Sequence, residues 1–368
     1  MARMVNTDRL KNVLIDLVSI KSFRGKEGEL VYYLQDLLAR YADKVIHQPV
    51  KECAGNVIAY KNIKDSDNIL FLAHMDTFEI YSNWTRNPWG ELEGERFYGL
   101  GVYDDKSTLA AMIEALINSP DDGKGLVLAA VCDAEGFSRG TYELLRSGLL
   151  PKVRGAIVAG PTNMRLFRGA YGRFVFDIDV TGVSSSGTEE SGINAIVEAA
   201  KIILWAIELP KVDGIGGSVA PLTIKSPELI IAHPDKCLIR LDRHYPPGQD
   251  PGVIRKRFME YIRRTPELKA KVSISLMKRP TPFMEPYELP EGDDFVEYIQ
   301  GVASSVLGGR METSVYWTVS DANYLSRLGN IKSVILGPEG GNHHSPDEYV
   351  KLPSVFTLAE LLSELLKG

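Results

Sequence analysis

Cysteine is scarce: Cys53, Cys132 and Cys237 are the only three among 368 residues. They are odd in number, far apart and form no C-x-x-C pair, so neither a disulfide framework nor a thiolate zinc site is expected. No apolar run approaches the roughly 20 residues that cross a bilayer, so no membrane partner is expected. A surplus of one charge is also missing. Lys+Arg 42 against Asp+Glu 48 leaves a net −6, which gives no basic surface for nucleic acid. The opening segment, MARMVNTDRLKNVLIDLVSI, carries charges throughout and lacks the apolar stretch of a cleavable signal, so a cytoplasmic location is expected. Internal repeats and low-complexity tracts are absent.

What is there is ordinary globular composition, 44% hydrophobic and 24% charged, in a chain long enough for two domains. Leu10, Val13, Leu14 and Leu17 fall on one helical face, with Thr7 or Asp8 as cap, and a second helix follows from about Gly28. NVIAY (56–60), NILFLAH (68–74), GLVLAAVCDAE (125–135) and GAIVA (155–159) read as strands, and 107–117 reads as a helix. Continuous apolar runs that end in polar residues suit buried parallel strands opening on a site. The pattern changes near residue 170. RFVFDIDVTG, a helix over 191–208, LIIA, CLIRLDR, a helix over 250–264 and KVSISLM give a β-α-β-β-α-β order. The expectation is a mostly parallel α/β domain, residues 1–170 and 282–368, interrupted by a small α+β module at 171–281.

Four places put metal-competent side chains at predicted strand ends or turns: His74-Met75-Asp76, Asp104-Asp105, Asp133-Ala134-Glu135 and His343-His344. Imidazole with carboxylate suits zinc and its first-row neighbours. In His-x-Asp on a strand, alternate residues point the same way. Asp76 is therefore placed to accept from His74 and free its other nitrogen for metal. Each fragment has a plainer reading: a buried histidine, a helix N-cap at Asp104, a solvated acid at Glu135, an exposed histidine pair.

The blocks FLAHMDT, NPWGELEGERFYGLGVYDDKSTLAAM, CDAEGFSRG, AIVAGPTNMRLFRGAYGR, ESGINAI, IRLDRHYPPG, VSDANYL and ILGPEGGNHHSPDEYV occur in that order. Together they resemble the M20 family of co-catalytic zinc peptidases and deacylases over nearly the whole chain. That family includes acetylornithine deacetylase, succinyl-diaminopimelate desuccinylase and the prokaryotic lysine/ornithine carrier hydrolases. The resemblance implies that His74 binds one metal with Asp76 as the catalytic residue orienting it. It further implies that Asp104 bridges two metals, that Glu135 and His344 hold the second, and that Arg243 contacts a substrate carboxylate. It also implies a homodimer formed through the inserted module.

Three positions depart from the family pattern. Ala134 stands where a glutamate acts as general base, and Gly160 in AGPT stands where an acid completes the first metal's ligands. Ser184–Ser186 occupy the lid stretch that usually offers a histidine to the oxyanion. Loss of a general base is worth roughly two to four decades in rate, and loss of an oxyanion donor about two to three. Asp133 and His343 are the candidate replacement bases. One divalent metal, zinc, is expected on Asp104, Glu135 and His344, with the second site weakened by Gly160. The expected function is hydrolysis of an N-acyl amino acid or short peptide at a rearranged site. The alternative is a catalytically silent relative that binds an amino acid or peptide or serves as a subunit.

Overall fold

The computed structural model describes residues 5–80, 82–186, 191–228 and 231–367. The chain divides into two compact units. The first comprises Met1–Gly169, Glu288–Tyr316 and Ser320–Gly368; the second comprises Ala170–Tyr287 and Trp317–Val319. Residues 282–287 therefore pack with the second unit rather than beginning the return to the first. Phe283 packs against the second core, and the Met284 carbonyl accepts from the Arg173 N–H at 2.9 Å.

The first unit is built on a nine-stranded sheet. Its centre is parallel: Asn68–His74 lies between Gly125–Val131 and Val153–Val158, and Ser333–Ile335 follows beside the latter. Antiparallel strands extend both flanks, among them Asn56–Lys61 and Leu166–Ala170. All seven residues of Asn68–His74 and of Gly125–Val131 are buried, as their unbroken apolar runs require in a sheet covered on both faces. The helix Ser107–Asn118 is buried along its whole length and packs against Leu352–Leu365. The first helix, Thr7–Ser19, is capped by Asn6, whose side chain accepts from the Arg9 N–H, rather than by Thr7 or Asp8.

A second, four-stranded sheet joins Glu91–Glu93, Arg96–Tyr98, Tyr349–Lys351 and Gly340–Gly341. Its last hairpin carries the loop with His343 and His344. The Asp347 carboxylate pins that loop by accepting from the N–H groups of Thr85 at 2.8 Å and Arg86 at 2.9 Å.

The second unit is a four-stranded antiparallel sheet, in order Ser218–Lys225, Lys236–Tyr245, Gly172–Thr181, Lys271–Leu276. The helices Ala195–Ala206 and Pro251–Arg263 cover one face, where Phe176, Ile178, Ile239, Phe258 and Ile202 form a separate core. The strand before CLIRLDR is Ser218–Lys225, not LIIA; residues 229–230 of LIIA lie outside the described residues, and Ala232 makes only an isolated bridge to Ser186. Pro221 interrupts the ladder of Ser218–Lys225 with a bulge, which is tolerated at a sheet edge and erases the alternation a sequence reading relies on. Among the described residues no helix is long and apolar enough to cross a membrane.

Candidate metal centre

The parallel strands bring the site together at their C-terminal ends, where α/β sheets bind ligands. His74 is the last residue of its strand, and Glu135 follows the neighbouring strand by four residues. Asp104 and Asp105 come from a π-helical turn, Val102–Lys106, that leads into the helix Ser107–Asn118. Asp104 lies inside that turn at φ −132° and ψ 86°, and Lys106 holds the cap position of the helix, so Asp104 is no helix N-cap. Gly101 enters this turn at φ 71°, and a Cβ there would sit 2.4 Å from Thr77 Cγ2, so only glycine fits.

The Asp104 carboxylate divides between two imidazoles. Its Oδ1 lies 3.4 Å from His74 Nε2 and its Oδ2 lies 3.1 Å from His344 Nε2. His344 Nε2 also lies 2.9 Å from Glu135 Oε1, so Asp104, Glu135 and His344 converge on one point. A second triad, His74, Asp104 and Asp105, shares Asp104, with Asp105 Oδ2 3.4 Å from His74 Nε2. His344 is held edge-on to Phe78, ring centroids 4.5 Å apart.

The acids dominate the electrostatics. Burial opposes a charged His74, yet Asp105, Asp104 and Asp76 together hold it well above the usual histidine range. Burial works against His344 in the same way, and Asp104 and Glu135 raise it to about 10. Burial pushes Asp105 well above the usual carboxylate range, with Asp104 beside it adding to the effect. Asp104 is held well below that range because its bonds to His344 and His74 outweigh burial. Such a concentration of carboxylates around two imidazoles is a donor set suited to a divalent cation with mixed N/O preference.

Asp76 acts through a different atom than expected. His74 Nδ1 pairs with the Asp76 backbone carbonyl at 2.9 Å, while Asp76 Oδ1 stands 3.8 Å away from that nitrogen. The carboxylate instead accepts the N–H groups of Ala134 at 3.0 Å and Glu135 at 2.9 Å, so it anchors the loop that carries Glu135. The chain turns at the strand end, which removes the strict alternation that would have stacked the two side chains. Burial raises Asp76 to about 7.

Asp133 is engaged by arginines. Its carboxylate accepts from Arg24 Nε at 2.9 Å and lies 3.7 Å from Arg139 Nε. His343 stays close, its ring centroid 5.4 Å from that of His344 and edge-on to Tyr103. Gly160 follows the strand Val153–Val158, and a Cβ added there would meet Ile335 Cγ2 at 2.7 Å. In the second unit the Arg243 guanidinium is buried, donating to Asp213 Oδ2 and to the carbonyls of Gly216 and His244, each at 2.7 Å. These three acceptors commit its fork within its own unit. In the serine stretch, Ser185 Oγ lies 3.4 Å from His233 Nδ1, an imidazole that sequence reasoning did not single out.

Glu348 was also missed. It is buried and accepts from the N–H groups of Gly101 at 2.7 Å, Tyr103 at 2.8 Å and Asp104 at 3.1 Å, which sets the turn presenting Asp104. Beside the centre a cleft of about 330 Å³ is lined by Phe23, Arg24, Thr77, Phe78, Asp133 and Glu135, among others.

A parallel sheet whose strand ends gather carboxylates and imidazoles for a divalent cation, with a separate small α+β unit, has the architecture of a metal-dependent hydrolase. The chain belongs to Peptidase family M20/M25/M40, whose sequence profile matches residues 70–368. It is 27% identical over 316 residues to acetylornithine deacetylase of Aliivibrio fischeri, covering 81% of this chain and 80% of that protein. It is 29% identical over 357 residues to a putative LysW-lysine/LysW-ornithine hydrolase of Pyrobaculum aerophilum, covering 95% and 94%. A tripeptidase structure from Staphylococcus aureus superposes with a TM-score of 0.83 at 21% identity over 99% of both chains, a likeness of fold.

Proposed function

We propose that this chain is a metal-dependent amide hydrolase of N-acyl amino acids or short peptides, in which a group other than residue 134 moves the proton. The observation that carries this reading is the convergence of two carboxylates on one imidazole, with Asp104 Oδ2 at 3.1 Å and Glu135 Oε1 at 2.9 Å from His344 Nε2. A divalent cation bound there, zinc by its ligand preference, would supply Lewis-acid polarisation of a scissile carbonyl and of an attacking water. The Asp76 carboxylate holds Glu135 in place, and Glu348 holds Asp104. His343, next to His344, is the imidazole positioned for proton transfer, since Asp133 is engaged by Arg24. The substrate class is supported by the relatives, one named as an acetylornithine deacetylase and one as a LysW-lysine/LysW-ornithine hydrolase. We propose in addition that two copies associate through the second unit.

The test is an assay of metal-stripped protein reconstituted with zinc, cobalt or manganese, against N-acetyl and N-succinyl amino acids, dipeptides and tripeptides. Metal-dependent turnover that disappears in His344→Ala is the expected outcome. Failure of every metal and substrate would overturn the hydrolase and leave the silent relative, whose cleft would then be assayed for amino-acid or peptide binding.

A further inference from the structure

We propose that Asp105 is a metal ligand, supplying to a second cation site with His74 and Asp104 the carboxylate that Gly160 does not. The inference rests on the metal-centre reading above and extends it from one ion to two.

The argument starts at His74. Its Nδ1 faces the Asp76 carbonyl, an acceptor, at 2.9 Å, so Nδ1 carries the ring proton and a neutral ring turns its Nε2 lone pair the other way. That lone pair faces Asp104 Oδ1 and Asp105 Oδ2, both 3.4 Å away. Three electron-pair donors thus point at one place, and only a proton or a cation satisfies them together. The spacing favours the cation. A hydrogen bond to a carboxylate draws its atoms to about 2.7–2.9 Å. Ligands held about 2.0–2.1 Å from a tetrahedral zinc stand roughly 3.3–3.4 Å apart.

Asp105 brings a second, independent observation. It is 3% exposed, its Oδ1 has no hydrogen-bond partner, and its Oδ2 makes long contacts with His74, 3.3 Å from the backbone N–H and 3.4 Å from Nε2. Buried carboxylate oxygens are rarely left in that state without an ion or water to meet them. Asp104, with one oxygen toward each imidazole, already has the disposition of a shared ligand. Across the sheet, Gly160 follows the strand Val153–Val158 that pairs with the strand of His74, with Ile335 Cγ2 filling the direction its Cβ would take. The site is therefore closed by the residue after Asp104 rather than from the neighbouring strand.

The test is metal stoichiometry of the full-length, metal-stripped protein, by calorimetric titration with Zn²⁺ and elemental analysis after gel filtration. Two equivalents are expected for the unaltered protein. Asp105→Asn, which keeps the shape and the contact to the His74 N–H, should retain one equivalent and weaken the other by at least roughly a hundredfold. His344→Ala should retain one equivalent as well, the complementary one. Two equivalents at full affinity in Asp105→Asn, or one equivalent in the unaltered protein, would overturn the inference and leave the proposed hydrolase standing. No bound zinc at all would sink both. A crystal structure of the unaltered protein with Zn²⁺ decides the matter even if Asp105→Asn does not fold. The Asp105 carboxylate should lie within about 2.2 Å of an anomalous zinc peak, and a carboxylate turned away from that peak would refute its role.

Discussion

At the scale of single residues, the groups that end strands were legible and those that support them were not. His74 and Glu135 sit in short motifs at the ends of apolar runs, and Asp104 and His344 sit in turn motifs of the ordered blocks, so chemistry and position could be read together. Glu348 has no such signature. It acts on backbone N–H groups some 245 residues away in sequence, and either acid in PDEYV looks like a solvated one. Its role is testable. Oε1 accepts from Tyr103 and Asp104, and Oε2 accepts from Gly101, so both oxygens are acceptors. In Glu348→Gln, either orientation of the amide turns its NH₂ toward a backbone N–H. An unmatched buried donor costs about 1–3 kcal/mol. Asp104 would also lose its fixed presentation, lowering metal affinity by roughly 10–100-fold. Denaturant unfolding of the stripped protein and calorimetric zinc titration measure the two effects. A variant equal to the parent in both would refute the assignment.

At the scale of elements, the central strands and long helices followed from periodicity, because unbroken apolar runs bounded by turns leave few alternatives. The failures have local causes. Asn6 outcompetes Thr7 and Asp8 as cap because its side chain reaches the Arg9 N–H at 2.9 Å. The Val102–Lys106 turn could not be foreseen, since it is set by Glu348 from a distant loop.

The strand Lys236–Tyr245 carries a pH dependence that sequence alone does not suggest. His244 is half-buried there, its Nε2 3.1 Å from Thr318 Oγ1, its Nδ1 3.5 Å from Ser218 Oγ and 3.9 Å from Asp242 Oδ1. Burial lowers its pKa below 6.5; Asp242 opposes this, while Arg173 and Arg243 add to it. As pH falls through 6.5, the unfolded chain takes up this proton before the folded one. The folded state loses stability over that window, and nothing is lost above it. His244→Gln should therefore unfold with a shallower acid dependence than the parent between about pH 6.5 and 5, with the two curves parallel above pH 7. Urea unfolding at fixed pH values gives the difference curve. Parallel curves throughout would show that His244 does not titrate differently on folding.

For the whole molecule, the ordered series of blocks was the most legible feature, because a combination spread over the chain is far less degenerate than any one motif. Oligomeric state is not written in such blocks; it depends on which surfaces remain uncovered. In the second unit, Ser218–Lys225 is an edge strand with Leu222 and Ile224 exposed, and Val197 and Leu204 are exposed on the helix Ala195–Ala206. An unprotected edge with apolar side chains invites pairing. A second copy of the same strand, related by a two-fold axis, covers both edges at once through a self-complementary contact. The expected mass by size-exclusion chromatography with light scattering is therefore twice that of the chain. Ile224→Lys combined with Leu204→Glu should shift it to the single-chain mass while leaving far-ultraviolet circular dichroism unchanged, since both side chains face solvent within the chain. A parent protein that runs at single-chain mass at micromolar concentration would show that this edge is protected by its Pro221 bulge alone.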